Sequence, residues 1–311
     1  MDDVGRVTLA VPCRTDEPAL GQTLAGFWDA WRSTPSTAAR ALECVVCVNG
    51  PGAPDAPVLG QLRAFAASVG VPMAGDRTVT AGPLAVRVLA TERAGKAIAW
   101  TLLRASAATP VVIFLDADVR VAADTPARLL DALAAHPTAV LATPRTGCTP
   151  RATAFERIMA APYGVAFPNL SGQLYAARTA ALPAAMPEDL IEPERWLELT
   201  IGCERVVPAP GAVVSVRLPA TLRDFFRQRV RIEMGKVQLD RDYPALLGRS
   251  APQPRAGAAL RALRPAELGR LGVYLALREV AHVVAWWRYR RGRTAGVWVQ
   301  AASTKEWGAG R

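Results

Sequence analysis

A chain of 311 residues, 51% hydrophobic and 21% charged, can bury one large α/β domain or a domain with an appendage, since domains run to ~100–200 residues with α/β cases near ~250. Its five cysteines, at positions 13, 44, 47, 148 and 203, are odd in number and scattered, which excludes the disulfide framework of a small secreted domain. The net charge of +10 is uneven: residues 221–311 hold 18 Lys+Arg against 7 Asp+Glu, and the remainder balances to within one charge.

The first residues, "MDDVGRVTLAVP", are acidic ahead of a short apolar run and have no basic n-region, so a cytoplasmic protein is expected. From there, near-continuous apolar runs at residues 6–12, 42–49, 84–90 and 110–116 predict strands buried on both faces. Residues 17–31, 56–70 and 94–107, which lie between them, are spaced as amphipathic helices. The βαβαβαβ order predicts a mostly parallel sheet with helices on both sides. Cys44 and Cys47 form a CxxC inside the second strand. With no second CxxC and no paired histidine, they read as buried strand cysteines rather than a zinc site.

The fourth strand ends in "VIFLDADVRV" (112–121), where Asp116 and Asp118 follow four apolar residues. Ligands in such sheets bind beyond the carboxyl ends of strands. Two carboxylates one residue apart at such an end suit a hard divalent cation, magnesium or manganese, bridged to a diphosphate. Downstream come "LSGQLYAARTAAL" (170–182), the acid-rich "MPEDLIEPERW" (186–196) and the basic "LRDFFRQRVRIEMGK" (222–236). Residues 248–270 are a Pro/Ala/Arg-rich connector. In the helical stretch that follows, Leu271, Tyr274, Leu275, Val283, Trp286 and Trp287 read as one apolar stripe capped by Arg288, Arg290, Arg291 and Arg293. A helix of that kind suits an anionic membrane surface, and the competing reading is a stripe packed on the catalytic domain with a solvated basic face. Its Arg278, Glu279 and His282 argue against spanning the bilayer. P-loop and dinucleotide glycine motifs are absent and the histidines number two, which leaves nucleotide hydrolases, dehydrogenases and histidine triads without support. No module for nucleic acid is recognisable.

Taken in order, these segments resemble a family 2 glycosyltransferase of the GT-A fold over roughly residues 6–235. The resemblance implies a GT-A-like sheet flanked by helices in residues 1–220 and a basic helical region in 221–311. "AVPCRTDEP" resembles the loop that holds the nucleotide base, with Pro12, Arg14, Asp16 and Glu17, and Thr15 where Asn is common. Asn49 stands where an aspartate is usual. "ERAGK" resembles the segment that brings Arg93 and Lys96 to the diphosphate. The DAD matches the DxD motif, which implies Asp116 on nucleotide and metal and Asp118 on metal. Ser171 and Gly172 correspond to the donor-sugar strand, and Trp196 is implied at the acceptor. Within "PEDLIEPERW", Asp189 is implied as general base with Glu188 its neighbour. Gln228 and Arg231 resemble the helix of polymerising members, with Ile232 where Trp belongs, and Arg229 beside them is a candidate to neutralise the donor diphosphate.

The function so implied is inverting, metal-dependent transfer of a single sugar from a nucleotide-diphosphate donor, a UDP-sugar, to the hydroxyl of a glycan or lipid-linked acceptor. The competing readings are a nucleotidyltransferase and a catalytically silent sugar-nucleotide or membrane-binding protein.

Overall fold

The computed structural model describes residues 5–71, 79–81, 83–149, 153–164, 170–247 and 263–292, the backbone alone for 79–81. Arg293 and residues 248–262 of the connector lie outside them.

The sheet begins as the sequence predicts. β1 (Arg6–Arg14) lies parallel to β2 (Ala41–Asn49) and to β5 (Val111–Leu115), and β4 (Leu84–Thr91) adds parallel to β2. The crossovers are α1 (Leu20–Ser33), extended by the short α2 (Pro35–Ala38), then α3 (Val58–Ser68) and α4 (Lys96–Ser106). Residues 7–13 of β1 are all buried, as the unbroken apolar run demands of a strand covered on both faces. Leu20, Leu24, Phe27 and Trp31 recur along one face of α1 and are fully buried, the helical counterpart of that pattern. A short β3 (Val79–Ala81) pairs antiparallel at the edge on β4.

Beyond β5 the sheet becomes mixed. After β6 (Arg120–Val121) and α5 (Thr125–Ala135), β7 (Leu141–Cys148) leads through α6 (Ala154–Met159) to β8 (Leu174–Arg178). β8 inserts antiparallel between β5 and β7. Following α7 (Pro193–Ile201), β9 (Val206–Val216) runs parallel to β7 and antiparallel to β6. The nine-stranded order is β3-β4-β2-β1-β5-β8-β7-β9-β6. Two apolar clusters cover its faces. One joins the strands to α1, α3 and α5; the other joins them to α4 and α7. Cys44 and Cys47 sit in these clusters on opposite faces, free and buried. Burial pushes both thiols up to about 12.

The chain ends in α8 (Leu222–Asp242), the short α9 (Pro244–Leu247) and α10 (Pro265–Arg290). Contacts between α8 and α10 climb in step: Phe225 with Tyr274, Glu233 with His282, Asp242 with Tyr289. The two long helices therefore run parallel. Among the described residues no helix is long and apolar enough to cross a membrane. The stripe expected on α10 divides between two faces: Leu271 is buried and Tyr274 packs on Phe225, while Leu275, Val283, Trp286 and Trp287 are exposed.

Candidate active site

β5 runs apolar to Leu115 and releases the chain at Asp116, whose backbone N–H still donates to the Gln173 carbonyl at 2.8 Å. That last bond ties the DAD to the segment entering β8, so the start of this antiparallel strand lies beside the carboxyl end of β5. From the next crossover, Lys96 opens α4 with its Nζ 2.7 Å from Asp116 Oδ1, 2.6 Å from Glu194 Oε1 and 3.0 Å from the Gly172 carbonyl. Gly95, at φ +153 ahead of the helix, permits the turn that aims this lysine. Asp116, Lys96, Gly172 and Glu194 thus meet from four elements at the end of the sheet where the fold exposes a ligand. Beneath them Trp100, Phe114 and Tyr175 stack at centroid distances of 5.3 and 5.2 Å, locked by a 2.8 Å bond from the Trp100 indole N–H to the Tyr175 hydroxyl.

Burial and neighbouring charge both act on this cluster. Burial, reinforced by Glu194 and Asp118 and opposed by Lys96, pushes the Asp116 carboxyl up to about 6. Burial works against the Lys96 ammonium, yet Asp116 and Glu194 outweigh it and its pKa is raised. Asp116 and Glu194 share that one ammonium, and a divalent cation beside Asp116 and Asp118 would bring further positive charge to the same place. Among the described residues no group of three or more His, Cys, Asp or Glu is arranged to hold a metal. The aspartates fit one that takes its remaining ligands from water and diphosphate oxygens, as magnesium and manganese do.

Glu192 occupies the N-cap position of α7, without a side-chain capping bond, and stands next to this cluster electrostatically. Burial dominates its shift to about 7; Arg231 and Lys96 pull it down and Glu194 pushes it up. It lies against α8 where Gly235 leaves room, since a Cβ there would come within 2.8 Å of Glu192 Cβ and closer to Cγ. Glu192 and Glu194 were not singled out from the sequence, although the proline at 193 marks the helix start that positions both.

Other expected residues fall in varied places. Asp189 is exposed in a turn, with Gln238 Nε2 donating to its carbonyl at 3.0 Å and reaching Oδ2 at 3.4 Å. The charge of Asp189 is felt by Tyr243 and Tyr289, which lie toward the C-terminal ends of α8 and α10. Glu188 pairs with Arg93, both exposed. Asn49 is buried and serves backbone on both sides, donating to the Cys13 carbonyl at 2.8 Å and accepting from Gly95 N–H at 3.0 Å. It fixes the loop that presents Lys96. Pro12 is buried in β1, Arg14 pairs with Asp16 at 2.9 Å, and buried Glu17 accepts from the Ala19 N–H at 3.2 Å. Ser171 is buried, with its hydroxyl 3.0 Å from that of Thr146. Trp196, expected at the acceptor, is packed in the α4 and α7 cluster with 9% of its surface exposed, which leaves little ring for a glycan. On α8, Gln228 is partly buried and Arg231 acts on Glu192, whereas Arg229 faces the other way, 2.6 Å from Glu233 and over the Tyr274 ring. A cavity of about 470 Å³ lined by Trp28, Trp31, Arg32 and Pro83 lies at the opposite, N-terminal edge of the strands, away from these carboxylates.

No family model matches the chain, and no curated protein matches it in sequence. Solved structures do. A mannosyltransferase from Pyrobaculum calidifontis, determined with GDP-Man and Mn2+, superposes with a TM-score of 0.56 at 23% identity, covering 94% of this chain and 81% of that one. S. aureus TarS, residues 1–349 with UDP-GlcNAc, gives a TM-score of 0.48 at 13% identity over 92% of each chain. The fold is a GT-A-like glycosyltransferase fold, an α/β sheet flanked by helices with a C-terminal helical region.

Proposed function

We propose that the protein transfers one sugar from a nucleoside-diphosphate donor to an acceptor hydroxyl of a glycan or lipid-linked molecule, with inversion at the anomeric carbon. The observation that carries this reading is the convergence of Asp116, Lys96 and Glu194 at the carboxyl end of β5 in a GT-A-like fold. A divalent cation held by Asp116 and Asp118 with the donor diphosphate would offset the charge that builds on the leaving group. Lys96 keeps Asp116 oriented and brings positive charge to the same place, and Arg231 adds a guanidinium from α8. The acceptor oxygen forms its bond to the anomeric carbon as the bond from that carbon to the diphosphate breaks. The hydroxyl proton passes to a carboxylate.

Glu192 is the carboxylate favoured for that proton. It sits within the field of Lys96 and Glu194, and its raised pKa suits a group that must accept a proton near neutral pH. Asp189, implied by resemblance, is the competing base. A uridine donor follows from the same resemblance, and the Pyrobaculum enzyme's GDP-Man makes a guanosine donor its rival.

The deciding experiment is calorimetry against a panel of UDP- and GDP-sugars, with manganese and then with EDTA, followed by assay of diphosphate release with and without acceptor. Metal-dependent binding and turnover of one donor is expected. Binding with no release under any condition would leave a silent sugar-nucleotide binder, and no binding at all would remove the reading.

A further inference from the structure

Helix α10 is apolar on two sides, one packed on α8 and the other exposed. Inward, Ala281 and Ala285 are buried against Val230 and Met234 of α8, and Leu271 is buried too. Outward, Val273, Val280, Val283 and Trp287 expose 48, 52, 64 and 42% of their surfaces. At 100° per residue these four, with Gly269 and Ala276, fall on one narrow face. Leu268, Leu275 and Trp286, also exposed, widen it to an arc of roughly 160° along a helix of 26 residues. Contiguous exposed apolar surface of this extent marks an interaction site.

Charge identifies what fits it. Arg288, Arg290 and Arg291 are exposed at the C-terminal end of the face. The guanidiniums of Arg290 and Arg291 lie over the rings of Trp286 and Trp287, 4.1 and 3.8 Å from the centroids. Tryptophan with arginine stacked above it, at the edge of an apolar strip, presents a ring to acyl chains and a cation to phosphate. Within the arc the acid Glu279 is paired with Arg278 at 2.5 Å. A second copy of α10 would bring one basic face against another, with six arginines against two glutamates in residues 264–291 of each. An anionic surface meets no such repulsion.

We infer that the outward face of α10 lies in the headgroup layer of an anionic membrane, seating Val273, Val280, Val283, Trp286 and Trp287 at the acyl boundary and the three terminal arginines on lipid phosphates. The helix lies along the surface and does not span it. This docking is independent of the sugar-transfer reading, because α8 separates the face from Glu192.

The test is sedimentation of the full chain with phosphatidylglycerol vesicles and with phosphatidylcholine vesicles, at low and high salt. Binding to the anionic vesicles alone, reversed by salt, is expected. An arginine near such a surface contributes about fivefold in partitioning, so the Arg288, Arg290 and Arg291 triple alanine variant should bind about a hundredfold more weakly. Val280→Asp with Val283→Asp should abolish binding while circular dichroism and soluble nucleotide binding stay unchanged. Tryptophan fluorescence quenched by brominated anionic lipid would place Trp286 and Trp287 in the layer, and its loss in a Trp286→Phe, Trp287→Phe variant would assign the signal. Failure to bind anionic vesicles at low salt overturns the proposal, as does full binding by the aspartate variant. A dimer in sedimentation velocity that the aspartate variant dissociates, without vesicle binding, assigns the face to a second copy.

Discussion

Glu192 and Asp189 stand three residues apart in one acidic stretch, yet their surroundings differ in a way kinetics can read. Burial holds the Glu192 carboxyl at about 7, and a base must be ionised to work, so turnover should climb with pH up to about 7 and level off above it. Glu192→Gln should lose that limb and roughly two to four orders of magnitude in turnover, the scale of lost general-base catalysis, with donor affinity kept. Asp189→Asn should keep both limb and rate; the reverse pattern would return the role to Asp189. Gly235, across from Glu192, sets two effects in opposition. Alanine in a helix interior gains ~1 kcal/mol over glycine, but its Cβ would meet Glu192 Cβ at 2.8 Å, and overpacking of that kind costs ~1–3 kcal/mol. Gly235→Ala should therefore lower the urea midpoint and move the pH limb; a midpoint above wild type would show that Glu192 yields freely. The position of the aspartates was legible in the sequence because a strand end followed by DAD has one place to go in such a sheet, and Lys96 came from the resemblance of its own segment. Glu192 and Glu194 were not, since residues 188–194 hold four acids and only the start of α7 decides which of them face the cluster. Trp196 shows the same limit, because its helical phase turns it into the core.

At the scale of elements, α8 and α10 are joined through one buried carboxylate. Glu233, 4% exposed, lies 2.6 Å from Arg229, 2.9 Å from Lys236 and 3.2 Å from His282. Burial alone would raise its pKa, but Lys236 and Arg229 lower it on balance. A depressed carboxylate contributes stability above its unfolded pKa of ~4.3, and that contribution is lost as pH falls through the lower folded value. Glu233→Gln should cost ~1–3 kcal/mol, the scale of lost hydrogen bonds to charged groups, because Lys236 and His282 stay solvated, and should flatten the acid limb of stability measured by urea at several pH values. An unchanged midpoint would show that apolar contacts alone hold the two helices together. The first four parallel strands and their crossovers were legible because runs buried on both faces carry no ambiguity of period. The mixed half was not: β8 and β9 take their direction from pairings distant in sequence, and neither has a turn residue pattern that declares it. The phase of α10 was misread for a related reason. A helix apolar on two sides gives no single stripe to follow, and only burial in the fold separates Leu271 from Val283.

Across the whole molecule, ligand and fold are linked by mass action, which gives the aspartates a signature that needs no acceptor. A ligand bound to the folded state alone stabilises it by ~2.7 kcal/mol at a hundred times its dissociation constant, about 5 °C in a protein of this size. The described core is continuous around the sheet, with α1, α3 and α5 on one face and α4 and α7 on the other, so stabilisation at the carboxyl end of β5 should raise the melting of the whole catalytic sheet. If Asp116 and Asp118 hold a divalent cation against a donor diphosphate, the shift should require nucleotide and manganese together. Either alone should give a small fraction of it, because the diphosphate repels the carboxylates and the cation lacks ligands. Asp118→Ala, its side chain partly exposed, should lose the joint shift when that shift is read against the variant's own melting temperature without ligand. Lys96→Ala should lose stability in the apo protein as well, because it strips Asp116 and Glu194 of their shared cation. The contrast between those two variants separates a ligand-binding carboxylate from a structural ion pair. A nucleotide shift undiminished by EDTA and by Asp118→Ala would place donor binding on the protein's own cations, with Lys96 in the part assigned to metal.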